Sequence, residues 1–344
     1  MRAGRKRASL RGWGGVAAMA VVCALAALLT LLLPLTASRG GDGAADPGGS
    51  GVADASRVNA GQRAPECTDP QDQSLAPSTV DGTTVEEIKA RGELVVGVDQ
   101  NGYRWGYRDP NRQGQDVQLE GFDIDLARRI AQELLGSPDK IIFKAIPTNQ
   151  RIPAIQSGQV DMVVRTMTIS CTRMEDVAFS APYFMTGQQV LAPVTSDITG
   201  YDDSLAGQEI CSASGSTAFE RLEADQKAGE LTKEADISTT VPNQLDCLVR
   251  LQLGEVDAVV TDGALAASQA AQDPTVGLKG ERFTTEYYGV AMKKGADDLV
   301  RRVNRILEDY RQDNGWQDSY DRWLSDTMGA DSESATPPVP EYRQ

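Results

Sequence analysis

The sequence predicts an α/β protein with two lobes that face each other across a cleft. From about residue 84 onward, buried strands alternate with amphipathic helices over a region too long for one small sheet. Residues 156–164 and 252–260 also share one plan, in which a helix ends, a glycine stops it and a buried strand follows. Ligands of such sheets bind at the carboxyl ends of the strands, so two facing lobes predict a ligand cleft.

The first lobe begins with a strand over residues 93–98, an apolar run flanked by charge and glycine. Apolar residues at helical spacing predict a helix over 123–135. A second strand follows at 141–145, a short helix at 152–156, and a third strand at 160–164. These elements form the predicted β/α series of the first lobe.

The second lobe repeats the series, with strands at 209–211 and 256–260 and a helix that opens at Cys247. We place the first lobe at residues 84–190 and 287–328, and the second lobe at 191–286. The chain then crosses between the lobes twice, near 187–189 and 287–289, and these crossings are the predicted hinge.

Two apolar stripes near the C-terminus are predicted to belong to the core. The members of the stripes are Leu299, Val303, Ile306 and Leu307, then Trp316, Tyr320, Trp323 and Leu324. Aromatic residues at helical spacing more often pack in a core than line a ligand cage.

The charge of the chain argues against a nucleic-acid partner. The formal charge is −15, and residues 1–15 carry five basic residues and no acid, which leaves −20 on the rest. Proteins that bind the phosphates of nucleic acids carry a positively charged surface. A net negative charge on the rest of the chain instead favours solubility.

The chain of 344 residues contains no histidine. This excludes Ser-His-Asp and Cys-His catalytic arrangements and any zinc or copper site that needs imidazole. The acidic residues are scattered without the spacing of a calcium loop, so we predict no metal and no cofactor.

An apolar run of about 20 residues, at 16–35, is long enough to span a bilayer. The basic residues 1–15 would stay in the cytoplasm, which places the rest of the chain outside the cell. We therefore predict an uncleaved membrane anchor; a cleaved signal ending at the small residues 36–38 is the alternative. Cys23 is not preceded by a small residue, so we interpret it as a membrane-embedded bystander rather than a lipid-anchor site.

Residues 36–83 are rich in Gly, Ala, Asp, Pro and Ser, with few large apolar groups. Such a composition buries too little surface to offset the ordering entropy, so we predict a flexible stalk. The tail at 329–344 has similar composition and is predicted to be disordered.

Four cysteines lie outside the predicted membrane segment, at Cys67, Cys171, Cys211 and Cys247. An even count in an exported domain predicts two disulfides, and four cysteines allow three pairings.

Arginines and hydroxyls cluster at the predicted strand ends, in residues 147–151 (PTNQR) and 165–173 (RTMTISCTR). Such a cluster suits a site for small carboxylates. Together with 121–126 (GFDIDL) and 179–183 (FSAPY), these segments resemble the family 3 extracellular solute-binding proteins, the polar amino-acid receptors of ABC importers. The resemblance extends from about residue 84 to about 328.

The resemblance implies a type II, two-lobed periplasmic-binding-protein fold with a two-strand hinge, here preceded by the membrane helix and stalk. Among family members, the chain most resembles actinobacterial glutamate- and glutamine-binding proteins. Cysteines at the places of Cys211 and Cys247 are paired in those relatives, which implies the pairs Cys211–Cys247 and Cys67–Cys171.

The resemblance implies which residues contact the α-carboxylate and the α-ammonium of the ligand. Arg173 occupies the place of the family arginine that grips the α-carboxylate, and Thr166 and Thr168 line the same turn. Asp262 resembles the carboxylate that receives the α-ammonium, with a helix N-cap as the alternative role.

Ser216 and Thr217 follow a strand of the opposite lobe, where a Gly-rich turn exposes donors to an anion. Helix capping is the alternative role for either hydroxyl.

The side-chain pocket is assigned in the same way. Arg151, with Thr148 before it, resembles the position that aspartate and glutamate receptors use for the distal carboxylate. Arg165 adds a positive charge at the strand end, unless an acid pairs with it.

Asp99, Tyr103 and Trp105 lie in the loop where family members shape this pocket. A bare Asp99 carboxylate would repel glutamate unless Arg151 or Arg165 pairs with it, so glutamine and asparagine stay possible ligands.

We therefore expect a monomeric, membrane-anchored extracellular receptor for glutamate or aspartate that presents its ligand to an ABC permease. A sensor that signals through a membrane partner is the alternative function. A dehydratase-type enzyme would need Asp99 or Asp262 as an acid/base beside a second catalytic group, and the sequence shows no such group. We therefore predict no enzymatic activity.

Overall fold

The structure is a computed structural model that describes residues 67–109, 118–329 and 332–343. The predicted cytoplasmic segment, the predicted membrane anchor with Cys23, and residues 36–66 of the predicted stalk lie outside the described residues. Among the described helices, none has the length and apolarity needed to cross a membrane.

The helices of the described residues are α1 (Thr83–Arg91), α2 (Phe122–Leu135), α3 (Arg151–Gln156), α4 (Cys171–Asp176), α5 (Thr217–Ala228), α6 (Gln244–Gln252), α7 (Gly263–Ala270), α8 (Asp297–Gln312), α9 (Gly315–Trp323) and α10 (Ser325–Met328). Short 3-10 turns lie at Pro70–Asp72, Thr148–Gln150, Asp203–Leu205 and Glu333–Ala335.

The strands are β1 (Leu94–Val98), β2 (Asn101–Gly102), β3 (Gly106–Arg108), β4 (Leu119–Glu120), β5 (Ile141–Ala145), β6 (Met162–Val163), β7 (Val177–Phe179), β8 (Phe184–Thr186), β9 (Gln188–Pro193), β10 (Glu209–Ala213), β11 (Asp236–Val241), β12 (Ala258–Asp262), β13 (Val276–Lys279), β14 (Glu286–Tyr288) and β15 (Ala291–Lys293).

Two five-stranded sheets follow the same plan. The first has the order β5-β1-β6-β15-β7 and the second has the order β11-β10-β12-β9-β13. In each sheet three neighbouring strands run parallel, and the fourth strand is antiparallel to both of its neighbours. The mixed α/β sheets and their common plan agree with the predicted fold class.

The elements follow from the apolar pattern of the sequence. Helix α2 buries Ile124, Leu126, Ile130 and Leu134 on one face and ends where Gly136 adopts a left-handed φ of 75°. The predicted C-terminal stripes also lie in the core. Seven of their eight members are buried, and the eighth, Trp323, is half-buried.

A third, two-stranded sheet pairs β8 with β14 in antiparallel register, from Phe184↔Tyr288 to Thr186↔Glu286. Each of these strands directly precedes a strand of a five-stranded sheet. Gly187 separates β8 from β9, and a Cβ atom there would lie 1.9 Å from the carbonyl oxygen of Thr284. Only glycine fits this crossing without moving backbone.

The second sheet begins earlier than the predicted lobe boundary. Strand β9 pairs with β12 from Gln188 onward, with Gln188 opposite Asp262. Residues 188–190, which we assigned to the first lobe, therefore belong to the second sheet, because the chain has already crossed at Gly187.

Residues 67–82 of the predicted stalk pack against the folded body. Ser74 Oγ donates a hydrogen bond to the carbonyl oxygen of Phe179 (2.9 Å). The buried Asn304 donates to the carbonyl oxygen of Leu75 (2.6 Å), and Leu75 itself lies in the core. Composition alone predicted flexibility, but buried hydrogen bonds and a disulfide hold this stretch.

The described part of the C-terminal tail also packs, contrary to the predicted disorder. Ser334 is fully buried and donates to the carbonyl oxygen of Met185 on β8 (2.7 Å). The backbone N–H of Arg343 donates to the carbonyl oxygen of Ser74 (2.9 Å). Ser334 and its neighbour Ala335 are the buried residues of the described tail, and both are small.

Both disulfides have the pairing that the resemblance implied. Cys67 is bonded to Cys171 across 104 residues, and Cys211 to Cys247 across 36 residues. The first links the N-terminal stretch to α4, and the second links β10 to α6 within the core beside the second sheet.

We predict that Cys211→Ala/Cys247→Ala lowers the free energy of unfolding by about 4 kcal/mol, because the unfolded chain gains the entropy of the opened loop. Denaturant unfolding of the purified full chain, followed by circular dichroism, measures the loss. A loss below about 1 kcal/mol would contradict a structural role for this disulfide.

Candidate functional site

Three buried arginines lie at the carboxyl edge of the first sheet. Arg151 opens α3, Arg165 follows β6 and Arg173 lies in α4, and their exposed fractions are 2%, 0% and 4%. Burial lowers the pKa of Arg151 well below its usual value, and the charges of Arg173 and Arg165 lower it further. Burial also lowers the pKa of Arg173.

The guanidinium of Arg151 donates hydrogen bonds to backbone carbonyl groups. Its Nε donates to the carbonyl oxygen of Thr148 (2.9 Å) and its Nη1 to those of Arg165 (3.3 Å) and Thr166 (3.4 Å). Its Nη2 donates to the carbonyl oxygen of Gly215 (3.3 Å), which follows strand β10 of the second sheet. The guanidinium therefore braces the loops around the predicted site.

Arg173 shares the Gly215 carbonyl. Its Nη2 donates to that oxygen (3.1 Å) and its Nη1 to the carbonyl oxygen of Thr168 (2.8 Å). Gly215 has a φ of 75°, a conformation that glycine adopts without strain. A guanidinium has five N–H donors, so these two contacts leave Arg173 donors for a carboxylate.

Arg165 pairs with an acid inside the protein. Its Nη2 lies 2.9 Å from Asp99 Oδ2 and 3.1 Å from Asn243 Oδ1, and its Nη1 donates to Thr148 Oγ1 (3.0 Å). Arg165 Nε has no partner among the described residues. Asp99 is therefore paired with Arg165 rather than with Arg151, which weakens its repulsion of an acidic ligand.

Asp262 ends β12 with 7% of its surface exposed. It occupies the N-cap position of α7, but its side chain makes no capping hydrogen bond. Instead, its Oδ1 accepts from Gln188 Nε2 (2.6 Å) and its Oδ2 accepts from the hydroxyl of Tyr288. Burial, followed by the charge of Glu286, raises the pKa of Asp262 to about 7.

Glu286 is a buried member of the cluster that the sequence analysis missed. It opens β14, and its Oε1 accepts from Gln188 Nε2 (2.7 Å). Its Oε2 accepts from the hydroxyls of Thr168 (2.5 Å) and Thr217 (2.9 Å). The available signal was its position directly before the predicted crossing at 287–289.

The two hydroxyls after β10 have different roles. Ser216 caps α5, because its Oγ accepts from the backbone N–H of Phe219 (3.2 Å). The capping alternative is therefore the one observed for Ser216. Thr217 instead directs its hydroxyl to Glu286.

Thr166 adopts a left-handed φ of 41°, and its backbone N–H donates to Asp123 Oδ2 (2.9 Å). Asp123 belongs to the 121–126 motif and also accepts from the hydroxyl of Tyr183 (2.8 Å). Burial raises the pKa of Asp123 to about 7. The motif thus fixes the turn that carries Thr166 and Thr168.

Asp99, Tyr103 and Trp105 line one small cavity of about 20 Å³ together with Gln244 and others. Trp105 is 1% exposed and donates its indole N–H to Ser268 Oγ (3.2 Å), so it contributes mainly core packing. Tyr103 is half-buried and also opens onto a larger cavity of about 370 Å³.

A further cavity of about 170 Å³ lies over Arg151 and Arg173, with Thr148, Gly215 and Glu220 among its lining residues. Within the described ranges, no group of three or more Cys, Asp or Glu side chains is placed to hold a metal ion. The cluster thus offers arginines and hydroxyls on one side and buried carboxylates on the other.

Comparison with known proteins gives consistent matches. Residues 94–326 match the model of the bacterial extracellular solute-binding proteins, family 3. The ABC transporter glutamine-binding protein GlnH of Bacillus subtilis is 32% identical over 243 residues, which cover 71% of this chain and 85% of that protein. The glutamate-binding protein GluB of Corynebacterium glutamicum is 30% identical over 262 residues, with 72% and 83% covered.

A solved structure of an ancestral arginine-binding protein bound to glutamine superposes with a TM-score of 0.60 at 34% identity. The match covers 68% of this chain and 98% of that one. The family match at residues 94–326 spans both five-stranded sheets.

We predict that Asp99→Asn lowers the free energy of unfolding by about 3 kcal/mol, because it leaves the buried charge of Arg165 without its counter-charge. Denaturant unfolding measures the loss. Asp139→Asn is the matched control, since Asp139 is 83% exposed in its pair with Arg128 and should change stability by less than about 1 kcal/mol. Equal effects of the two substitutions would contradict the assigned role of the buried pair.

Proposed function

The chain belongs to the family 3 bacterial extracellular solute-binding proteins, and on that premise we propose that it binds a polar or acidic amino acid and delivers it to an ABC transporter. One observation carries the proposal. Arg173 in α4 and Asp262 at the end of β12 are both buried, and hydrogen bonds through Thr168, Glu286 and Gln188 join them. A cation and an anion so placed complement the carboxylate and ammonium of an amino acid.

In the proposed complex Arg173 receives the α-carboxylate. A guanidinium fork matches two carboxylate oxygens, and such charge-assisted bonds are stronger than neutral ones. Thr166, Thr168 and Thr217 supply hydroxyl or backbone donors around the same group. The α-ammonium goes to Asp262, whose two oxygen atoms each accept one hydrogen bond, from Gln188 and Tyr288, and can each accept another.

The side chain of the ligand is proposed to extend toward the Asp99–Arg165 pair and its cavity. Arg165 and Thr148 offer donors there, and Asn243 and Gln244 offer amides from the second-sheet side. Donors of this kind favour glutamate or aspartate, and the Asp99 carboxylate keeps glutamine and asparagine as possible ligands. Relatives named for glutamine and for glutamate both support this range.

We also propose that the chain forms two lobes hinged at the β8–β14 pair. The first lobe would take residues 84–187 and 287–328, and the second would take 188–286. A ligand that contacts both lobes would stabilise a closed arrangement in proportion to its differential affinity for that arrangement. A permease that recognises the closed form would complete the transport cycle, with the receptor acting as a monomer.

Support for membrane anchoring comes from the apolar run at residues 16–35 and the basic residues before it. The extracellular family and the two disulfides are consistent with a location outside the cytoplasm.

We predict that the purified full chain binds at least one of glutamate, aspartate, glutamine and asparagine in calorimetric titration. Arg173→Lys should weaken that binding by about 100-fold, because it removes the bidentate fork while keeping the charge. The control is Arg221→Lys, at an arginine whose side chain is 42% exposed on α5. Binding by the control and weak binding by Arg173→Lys support the proposal. Wild-type silence toward all four amino acids contradicts it.

A further inference from the structure

The inference below rests on the proposed function. A second buried carboxylate, Glu286, lies near Asp262, the predicted acceptor for the α-ammonium. Glu286 and Asp262 are 8% and 7% exposed and belong to different strands, β14 and β12. Gln188 Nε2 lies between them, 2.7 Å from Glu286 Oε1 and 2.6 Å from Asp262 Oδ1. A group that fits between these two oxygen atoms can bond to both.

An ammonium ion suits that position better than an amide does. It has three donors and a full positive charge, so it can bridge two carboxylates and offset their mutual repulsion. The carboxamide of Gln188 supplies donors but no charge. An ammonium group in place of the Gln188 amide nitrogen therefore stabilises the two buried carboxylates more than the neutral amide does.

The remaining groups around the pair lie after β6, at the start of α5 and on β14. The hydroxyls of Thr168 and Thr217 donate to Glu286, and the hydroxyl of Tyr288 donates to Asp262. The charged and titratable groups that interact with the pair are Arg151, Arg173 and Tyr288. The guanidiniums of Arg151 and Arg173 are already bonded to backbone carbonyls.

Asp262 is buried and has the Glu286 carboxylate on the other side of the Gln188 amide nitrogen. Desolvation and a like charge nearby both favour the protonated form of a carboxyl group. Consistent with this geometry, burial and the charge of Glu286 raise the pKa of Asp262 to about 7.

We propose that Glu286 is a second acceptor for the ligand's α-ammonium and that this ammonium displaces one proton from Asp262. The exchange balances: protonated Asp262 and an ammonium ligand give a complex in which Asp262 is a carboxylate, plus one free proton. No covalent bond of the ligand changes. The pair selects amino acids over 2-oxo acids with the same side chain, because an oxo group cannot donate to either carboxylate.

The pH dependence follows from the direction of the exchange. Above about pH 8 Asp262 is already ionised, so ligand binding releases few protons and the affinity is at its plateau. Below about pH 7 the proton competes with the ammonium, and affinity falls up to tenfold per pH unit. Binding therefore strengthens as the pH rises from 5 to 8.

The test is calorimetric titration of the purified full chain with L-glutamate and L-glutamine, at pH 6 and at pH 8. Each titration is run in two buffers with different ionisation enthalpies, so the difference in heat counts the protons released. We expect close to one proton per ligand at pH 6 and almost none at pH 8. We also expect 2-oxoglutarate to bind at least 100-fold more weakly than glutamate.

Glu286→Gln keeps the shape of the side chain and removes its charge. We expect it to weaken amino-acid binding at pH 8 by at least tenfold and to release less than half as many protons at pH 6. Glu281→Gln is the matched control, because Glu281 is exposed and lies five residues earlier. It should behave as wild type.

Equal heats in the two buffers at pH 6 would overturn the proton exchange, and that measurement needs no variant. Wild-type affinity in a folded Glu286→Gln variant would overturn the ammonium contact. Either result leaves the proposed receptor function standing, since an amino acid is still bound. Silence of the wild-type chain toward both ligands would instead overturn the receptor function and this inference together.

Discussion

The burial of three guanidinium groups between the two sheets is the constraint on which the site depends. A buried cation is tolerated only when hydrogen bonds and counter-charges replace its water. Arg151 meets this requirement through four backbone carbonyls, and Arg165 does so through Asp99, Asn243 and Thr148. These bonds hold loops of the first sheet against the turn at Gly215 and the start of α6. Arg173 is the member whose described contacts leave most donors for a ligand carboxylate.

Two buried carboxylates lie on the other side of the site and oppose this positive charge. Asp262 and Glu286 share one amide donor, and Glu286 also bonds to hydroxyls from each sheet. Positive and negative groups are thus separated within the site, which complements a zwitterion. The arrangement suits recognition of an amino acid by charge and hydrogen bonding.

The sequence predicted what depends on local pattern and missed what depends on long-range packing. Residues 141–145 were predicted to form a strand because β-branched and aromatic residues favour strands, and β5 occupies that range. Glu286 gave no comparable signal, since its partners Thr168 and Thr217 lie 118 and 69 residues away. Ser334 was assigned to a disordered tail because composition reports apolar content and cannot show which small residue fills a gap.

The central claim is that an amino acid lies between Arg173 and Asp262. A crystal structure of the full chain with its tightest-binding amino acid tests this most directly. The account predicts the ligand's carboxylate on the Arg173 guanidinium and its ammonium within hydrogen-bond distance of Asp262, with both five-stranded sheets contributing contacts. A ligand bound through one sheet alone, or held in the groove beside α5 and β11 that Phe219 and Lys233 line, would contradict it.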